Sequence, residues 1–226
     1  MKTRALPLLS LLYFAFPQHV LAQAENFAGV AVAAGVAFSN NQIAFATTSS
    51  DDEAFSLKDN SQFGVLDFSY SKTISNNWLL GVGFSYDLGD SKEGHWDVID
   101  SGICYCSSAK LSDKKSIYIK PTYALSDKVA VFAKLAHNTA TQRLTDPNGQ
   151  LFSWRSFPFP DSKKEVSGLG YALGASALLS KNMFVSGEFS VASFARVDLG
   201  PTVHEGNVSA KSTTLTKWVF SAGYKF

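Results

Sequence analysis

The sequence predicts an all-β fold: an eight-stranded antiparallel up-and-down transmembrane β-barrel with short periplasmic turns and four long external loops. Three observations carry this reading. First, the chain closes on Trp218-Val219-Phe220-Ser221-Ala222-Gly223-Tyr224-Lys225-Phe226, where Trp218, Phe220, Ala222, Tyr224 and Phe226 form one face. A period-two pattern that stays large and apolar to the last residue suits a strand with lipid on one side. Second, Lys2 and Arg4 precede an apolar run from Ala5 to Phe16, followed by the small-residue stretch Val20-Leu21-Ala22-Gln23-Ala24. Residues 1–24 therefore read as a secretory signal peptide cleaved after Ala22 or Ala24, and residues 25–226 as one barrel domain. The run is too short to span a membrane as a helix, and Pro7 and Pro17 bracket it. Third, the segments between the two ends alternate with their bulky apolar face opposite a face of Gly, Ala and Ser.

Eight segments show this alternation. The first, 27–39, sets Val30, Val32, Val36 and Phe38 against Gly29, Ala31, Ala33, Gly35 and Ala37. The second, 63–72, turns Leu66, Phe68 and Tyr70 outward and Asp67, Ser69 and Ser71 inward. The third, 78–88, has the most complete outer face, from Trp78 through Leu80, Val82, Phe84 and Tyr86 to Leu88. In the fourth, 116–124, Ile117, Ile119 and Tyr123 face out, with Tyr118 and Lys120 inside. The fifth, 129–138, puts Lys134 inside, and the sixth, 168–179, opposes Leu169, Tyr171 and Leu173 to Gly170, Ala172 and Gly174. The seventh, 183–194, places Glu188 inside, and the eighth runs from about Thr214 to the end.

The connections alternate in length. Those at 73–77, 125–128 and 180–182 are short, while 40–62, 89–115, 139–167 and 197–213 are long. Short periplasmic turns and long external loops are the expected asymmetry of an outer-membrane barrel. A soluble eight-stranded barrel would hide its apolar residues inside. Here the polarity is inverted, which decides for the membrane.

Composition narrows the function. The chain's net charge of +1 offers no nucleic-acid footprint. Cys104 and Cys106 form one Cys-Tyr-Cys in a chain bound for an oxidising compartment. A local disulfide, an intermolecular one and two free thiols all remain open, since a bond across two residues needs a tight turn. No second ligand pair lies nearby, and His95 and His204 stand alone, so neither a metal nor a cofactor is expected.

Eight strands enclose a lumen that side chains fill, so an open pore is not expected. Asp67, Asp87, Lys120, Lys134 and Glu188 all have inward parity. Charges in such a space are costly unless paired, which predicts a salt-bridge network serving as a polar core. Trp78, Tyr123, Tyr171, Trp218 and Tyr224 belong towards the interfacial girdles.

The segment Ser116-Ile-Tyr-Ile-Lys120-Pro121-Thr-Tyr123-Ala-Leu-Ser-Asp127 resembles the fourth strand and turn of the OmpX, Ail/Lom and opacity-like group of small outer-membrane barrels. Val131-Phe-Ala-Lys134-Leu-Ala, Gly168-Leu-Gly-Tyr-Ala-Leu-Gly174 and Ala222-Gly-Tyr-Lys-Phe226 resemble that group's fifth, sixth and terminal strands. The resemblance covers the strands and not the loops. It implies insertion by the barrel assembly machinery, with Tyr224 and Phe226 as the assembly signal. It also implies roles in adhesion, serum resistance or envelope integrity, and the barrel is expected to be a monomer.

Candidate binding residues lie in the third loop, at Phe152, Trp154, Arg155, Phe157 and Phe159, followed by Lys163 and Lys164. Aromatics beside Arg are the types that dominate interface hot spots, which suits host or matrix surface molecules. The same rings would also sit well against the loop itself or in lipid headgroups. Lys163 and Lys164 suit lipopolysaccharide phosphates. Trp96, Ile103 and Tyr105 are weaker candidates in the second loop, and Ser49 to Glu53 reads as a solvated acidic tip. The alternative function is lipid A acyl hydrolysis by His137 and Thr139, which share an outward face near the external rim. That run departs from the His-x-Ser-Asn of lipid A deacylases, and no acidic residue is placed to orient His137. The expected function is therefore non-enzymatic.

Overall fold

The computed structural model describes residues 24–47, 50–100, 103–145, 162–201 and 207–226. A 3-10 turn at Ala24–Phe27 precedes ten strands. They are β1 (Gly29–Thr47), β2 (Ser50–Thr73), β3 (Trp78–Leu88), β4 (Ser91–Asp100), β5 (Ile103–Ala124), β6 (Val129–Thr145), β7 (Ser162–Leu178), β8 (Met183–Phe194), β9 (Val197–Pro201) and β10 (Asn207–Lys225). Eight of them, β1-β2-β3-β5-β6-β7-β8-β10, form an antiparallel ring that β10 closes against β1. The seam runs from Ala31 opposite Lys225 to Thr47 opposite Val208. Phe226 N donates to the Val30 carbonyl at 2.9 Å to finish it.

The wall faces lipid with the residues the alternation selects. Val30, Val36, Phe38, Phe68, Tyr70, Trp78, Leu80, Val82 and Phe84 are all exposed on β1 to β3. Ile117, Ile119, Leu135, Leu169, Tyr171, Leu173, Trp218, Phe220 and Tyr224 continue the band around the ring. Aromatic rings pair edge-on towards the periplasmic end, Trp78 with Tyr123 and Tyr224 with Phe226, each at 5.0 Å between centroids. The short turns are fixed locally. Leu125 N donates to the Val129 carbonyl and Leu179 N to that of Met183, both at 2.9 Å. Ser126 Oγ and Ser180 Oγ accept from Val129 N and Met183 N, each at 3.1 Å.

The membrane strands are those the sequence marks, but the wall is taller. Much of 40–62, 89–115, 139–167 and 197–213 is strand and not loop. β1 and β2 stay in register from Asn40 opposite Asn60 to Gln42 opposite Lys58. Above the membrane the outward face becomes polar (Asn40, Gln42, Lys58, Asn60), so the hydrophobic alternation ends while the backbone ladder continues. The Asn40 amide, for example, donates to Asn60 Oδ1 at 2.7 Å.

β4 continues β3 after a break at residues 89–90 and pairs with β5. It leans into the barrel. Asn41 on β1 reaches past β2 to the Lys92 carbonyl at 2.7 Å, and Lys92 N donates to Ser61 Oγ at 2.7 Å. Gly89 and Gly94, with φ of +138° and +134°, make the bends on either side. A Cβ at Gly94 would stand 2.7 Å from Leu57 Cβ, so a side chain there would push β4 off β2.

The interior is layered. At the periplasmic base Ala24, Leu79 and Ala124 are buried together, with Phe27 and Ala28 against them. Ala24 N donates to the Asn76 carbonyl at 3.1 Å, which tucks the 3-10 turn under the barrel. Near the external end, Leu111, Ala140, Val166, Ala192, Phe194 and Leu215 form an apolar layer. Between the two lies a polar middle.

Candidate functional site

The polar middle is organised by Lys134 on β6. Its ammonium lies 3.1 Å from Asp67 on β2 and 2.8 Å from Glu188 on β8, and 4.1 Å above the Tyr118 ring. Tyr118 on β5 donates its hydroxyl to Asp67 at 2.7 Å. One cation thus spans the lumen to two carboxylates, and a phenol satisfies a further lone pair. Pairing of this kind offsets the cost of holding charges in a partly buried cluster.

Asp87 does not join this group. It takes Lys217 of β10 at 3.1 Å and lies 4.0 Å from Lys114 of β5. Lys114 also bonds Ser91 Oγ and the Gly89 carbonyl. Lys120 forms no ion pair among the described residues, contrary to the network expected from its parity. It hydrogen-bonds Ser69 Oγ at 3.4 Å, because Lys134 already lies nearer to both Asp67 and Glu188. Cavities of about 40 and 50 Å³ flank the Lys134 bridge, and Lys134, Glu188 and Lys217 line both. Each has room for about three waters.

At the external end, Lys163 and Lys164 are exposed at the start of β7, opposite Arg143 and Gln142 of β6. Phe152, Trp154, Arg155, Phe157 and Phe159 lie outside the described residues, as do residues 1–23 of the expected signal peptide. Cys104 and Cys106 fall within β5, opposite Ile99 and Asp97. His137 and Thr139 are exposed on the outer wall, opposite Leu169 and Ser167. Among the described residues no carboxylate bonds to His137.

The sequence matches the family described as outer membrane protein beta-barrel domain over residues 8–226. The chain belongs to this family. Its place is the outer membrane, as the inverted polarity of the wall requires. No curated protein matches the sequence. Among solved structures, the chain is similar to OprG from Pseudomonas aeruginosa, with 12% identity over 92% of this chain and 99% of that one and a TM-score of 0.46. Neisserial surface protein A is similar at 13% identity over 88% and 98% of the two chains, TM-score 0.45. Ail, the attachment invasion locus protein of Yersinia pestis, is similar at 12% over 88% and 99%, TM-score 0.45.

Within this outer-membrane barrel, three further residues complete the interior: Tyr118, which strand parity marks as an interior residue, with Lys217 and Lys114. Tyr118 was placed inside by parity but not as a partner of Asp67. Lys217 precedes Trp218 in the eighth strand, so its inward parity was available. Lys114 was hidden by a register shift between Ser112 and Lys115, where Asp113 adopts a φ of 51°.

Proposed function

We propose that this protein is a non-enzymatic surface protein of the outer membrane that acts through its external end, in adhesion or in envelope integrity. The observation that carries the reading is the bridged interior. An ion-bridged middle lies between an apolar base and an apolar external layer, so the barrel serves as a scaffold and its free surface is the part above the membrane. The segment between β6 and β7 is the favoured contact region. It carries Phe152, Trp154, Arg155, Phe157 and Phe159, and Lys163 and Lys164 stand exposed at its base. Host or matrix surface molecules would meet the aromatics, and lipopolysaccharide phosphates the lysines. The exposed Tyr224 and Phe226 remain the signal for the barrel assembly machinery, and the barrel works as a monomer.

Transplanting residues 139–167 onto an inert eight-stranded barrel tests this. Binding to cells or extracellular matrix is expected to move with the segment. Failure of binding to move removes the adhesin role of this loop. Mass spectrometry of lipid A, with and without the protein, is expected to show no acyl change. A lost acyl chain would instead point to His137 and Thr139.

A further inference from the structure

The external end of the lumen holds a polar cluster that the ion bridges do not use. Glu93 on β4, Gln142 on β6 and Asn41 on β1 are fully buried there. Gln142 Nε2 donates to Glu93 Oε2 in a close contact, and Thr213 on β10 also bonds the Glu93 carboxyl. Three oxygens of the cluster have no hydrogen-bond partner among the described residues: Glu93 Oε1, Gln142 Oε1 and Asn41 Oδ1. All three are acceptors while Glu93 is ionised, so the cluster lacks donors, and a buried acceptor left unpaired is costly.

A single proton removes two of the three deficits. Glu93 Oε1 and Gln142 Oε1 are the remaining polar atoms of two groups already joined through Oε2 and Nε2. A proton on Glu93 Oε1 supplies the donor that Gln142 Oε1 lacks, which closes a ring of two hydrogen bonds between carboxyl and amide. We infer that Glu93 is protonated in the closed barrel, and that its paired bonds to Gln142 form a proton-dependent latch holding β4 across the external mouth.

The surroundings favour the neutral carboxyl. From β5 only Lys114 brings a positive charge towards Glu93, and its ammonium is shared with Ser91 and, at 4.0 Å, with Asp87 of β3. Lys217 of β10 is held by the same Asp87, and Asp90 by the half-buried Lys110. β2 contributes Asp59, opposite Asn41, and the exposed Lys58, while β1 and β6 present the uncharged Asn41 and Gln142. Lys92 of β4 itself is exposed. Burial outweighs the hydrogen bonds of Gln142 and Thr213 and the charge of Lys114, and pushes the Glu93 carboxyl from 4.5 up to about 7.

The sign follows. With β4 lifted into water, Glu93 returns to ordinary carboxylate behaviour, so the closed form binds the proton more tightly than the open form. Closure is therefore firmest at low pH and weakens as pH rises from about 4.5 through about 7. The opening equilibrium should change by about two powers of ten across that window. The latch secures the outer mouth only; the Lys134 bridge beneath it does not depend on this proton.

The test uses the full mature chain refolded into lipid vesicles. Infrared difference spectra of wild type against E93Q are expected to show one protonated-carboxyl band that belongs to Glu93 and disappears with a midpoint near pH 7. Amide hydrogen exchange over residues 91–111, corrected for the intrinsic pH dependence, should show at least tenfold more opening at pH 8 than at pH 5.5. E93Q carries the missing donor permanently and should stay protected at both pH values. Q142L leaves the titrating group and removes its partner, so protection should fall at pH 5.5. The inference is overturned if no E93Q-sensitive carboxyl band exists at pH 5.5, or if wild-type protection is the same at both pH values.

Discussion

Replacing Lys134 by methionine would leave Asp67 and Glu188 facing one another without the cation that now lies 3.1 and 2.8 Å from them. Removing one partner of a buried pair costs about 3–5 kcal/mol. The value for K134M should fall near the low end, about 3 kcal/mol, because the adjoining cavities let water solvate the carboxylates. Urea unfolding in lipid vesicles would measure it. Adding E188Q to K134M should recover part of the loss, and a double variant no more stable than K134M alone would show that the pair is not coupled. At this scale the sequence was informative where parity alone decides. Asp67, Lys134 and Glu188 sit on unbroken alternating strands, and they meet. Lys120 has the same parity, yet a strand pattern carries no information on which of two lysines reaches a carboxylate first. Glu93 was illegible because it follows the bend at Gly89, in a stretch whose outward face is no longer apolar.

The elements were legible inside the membrane and not above it. β3 (Trp78–Leu88) was read with its observed ends, since lipid demands an apolar outer face for its whole length. β1 and β2 were cut short, because hydrogen bonding between strands continues where the lipid stops and leaves no hydrophobic mark. The 3-10 turn at Ala24–Phe27 gives the base its own prediction. Ala24 is buried against Leu79 and Ala124 and donates to the Asn76 carbonyl at 3.1 Å. Cleavage after Ala22 keeps this cap in the mature chain, whereas cleavage after Ala24 removes Ala24 from it. Amino-terminal sequencing of protein from outer membranes is expected to begin at Gln23, and a start at Glu25 would mean that the barrel stands without that contact.

For the whole molecule, the inverted polarity of the wall fixes the environment and the narrow ring fixes the interior. Eight strands leave a space that side chains fill, and this chain fills it with bridged charges, two small cavities and apolar layers towards both ends. The Lys134 bridge spans this core, which is why the proposed function lies on the external surface. What that surface binds was not legible, since the aromatic segment 146–161 follows neither strand alternation nor a family pattern. The most direct test of the scaffold reading is the conductance of the purified protein in a planar lipid bilayer. At pH 5 and pH 8 alike, no steady open channel is expected, and K134M should raise the frequency of brief openings. A stable ohmic channel in the wild-type protein would contradict the account and make the interior a path.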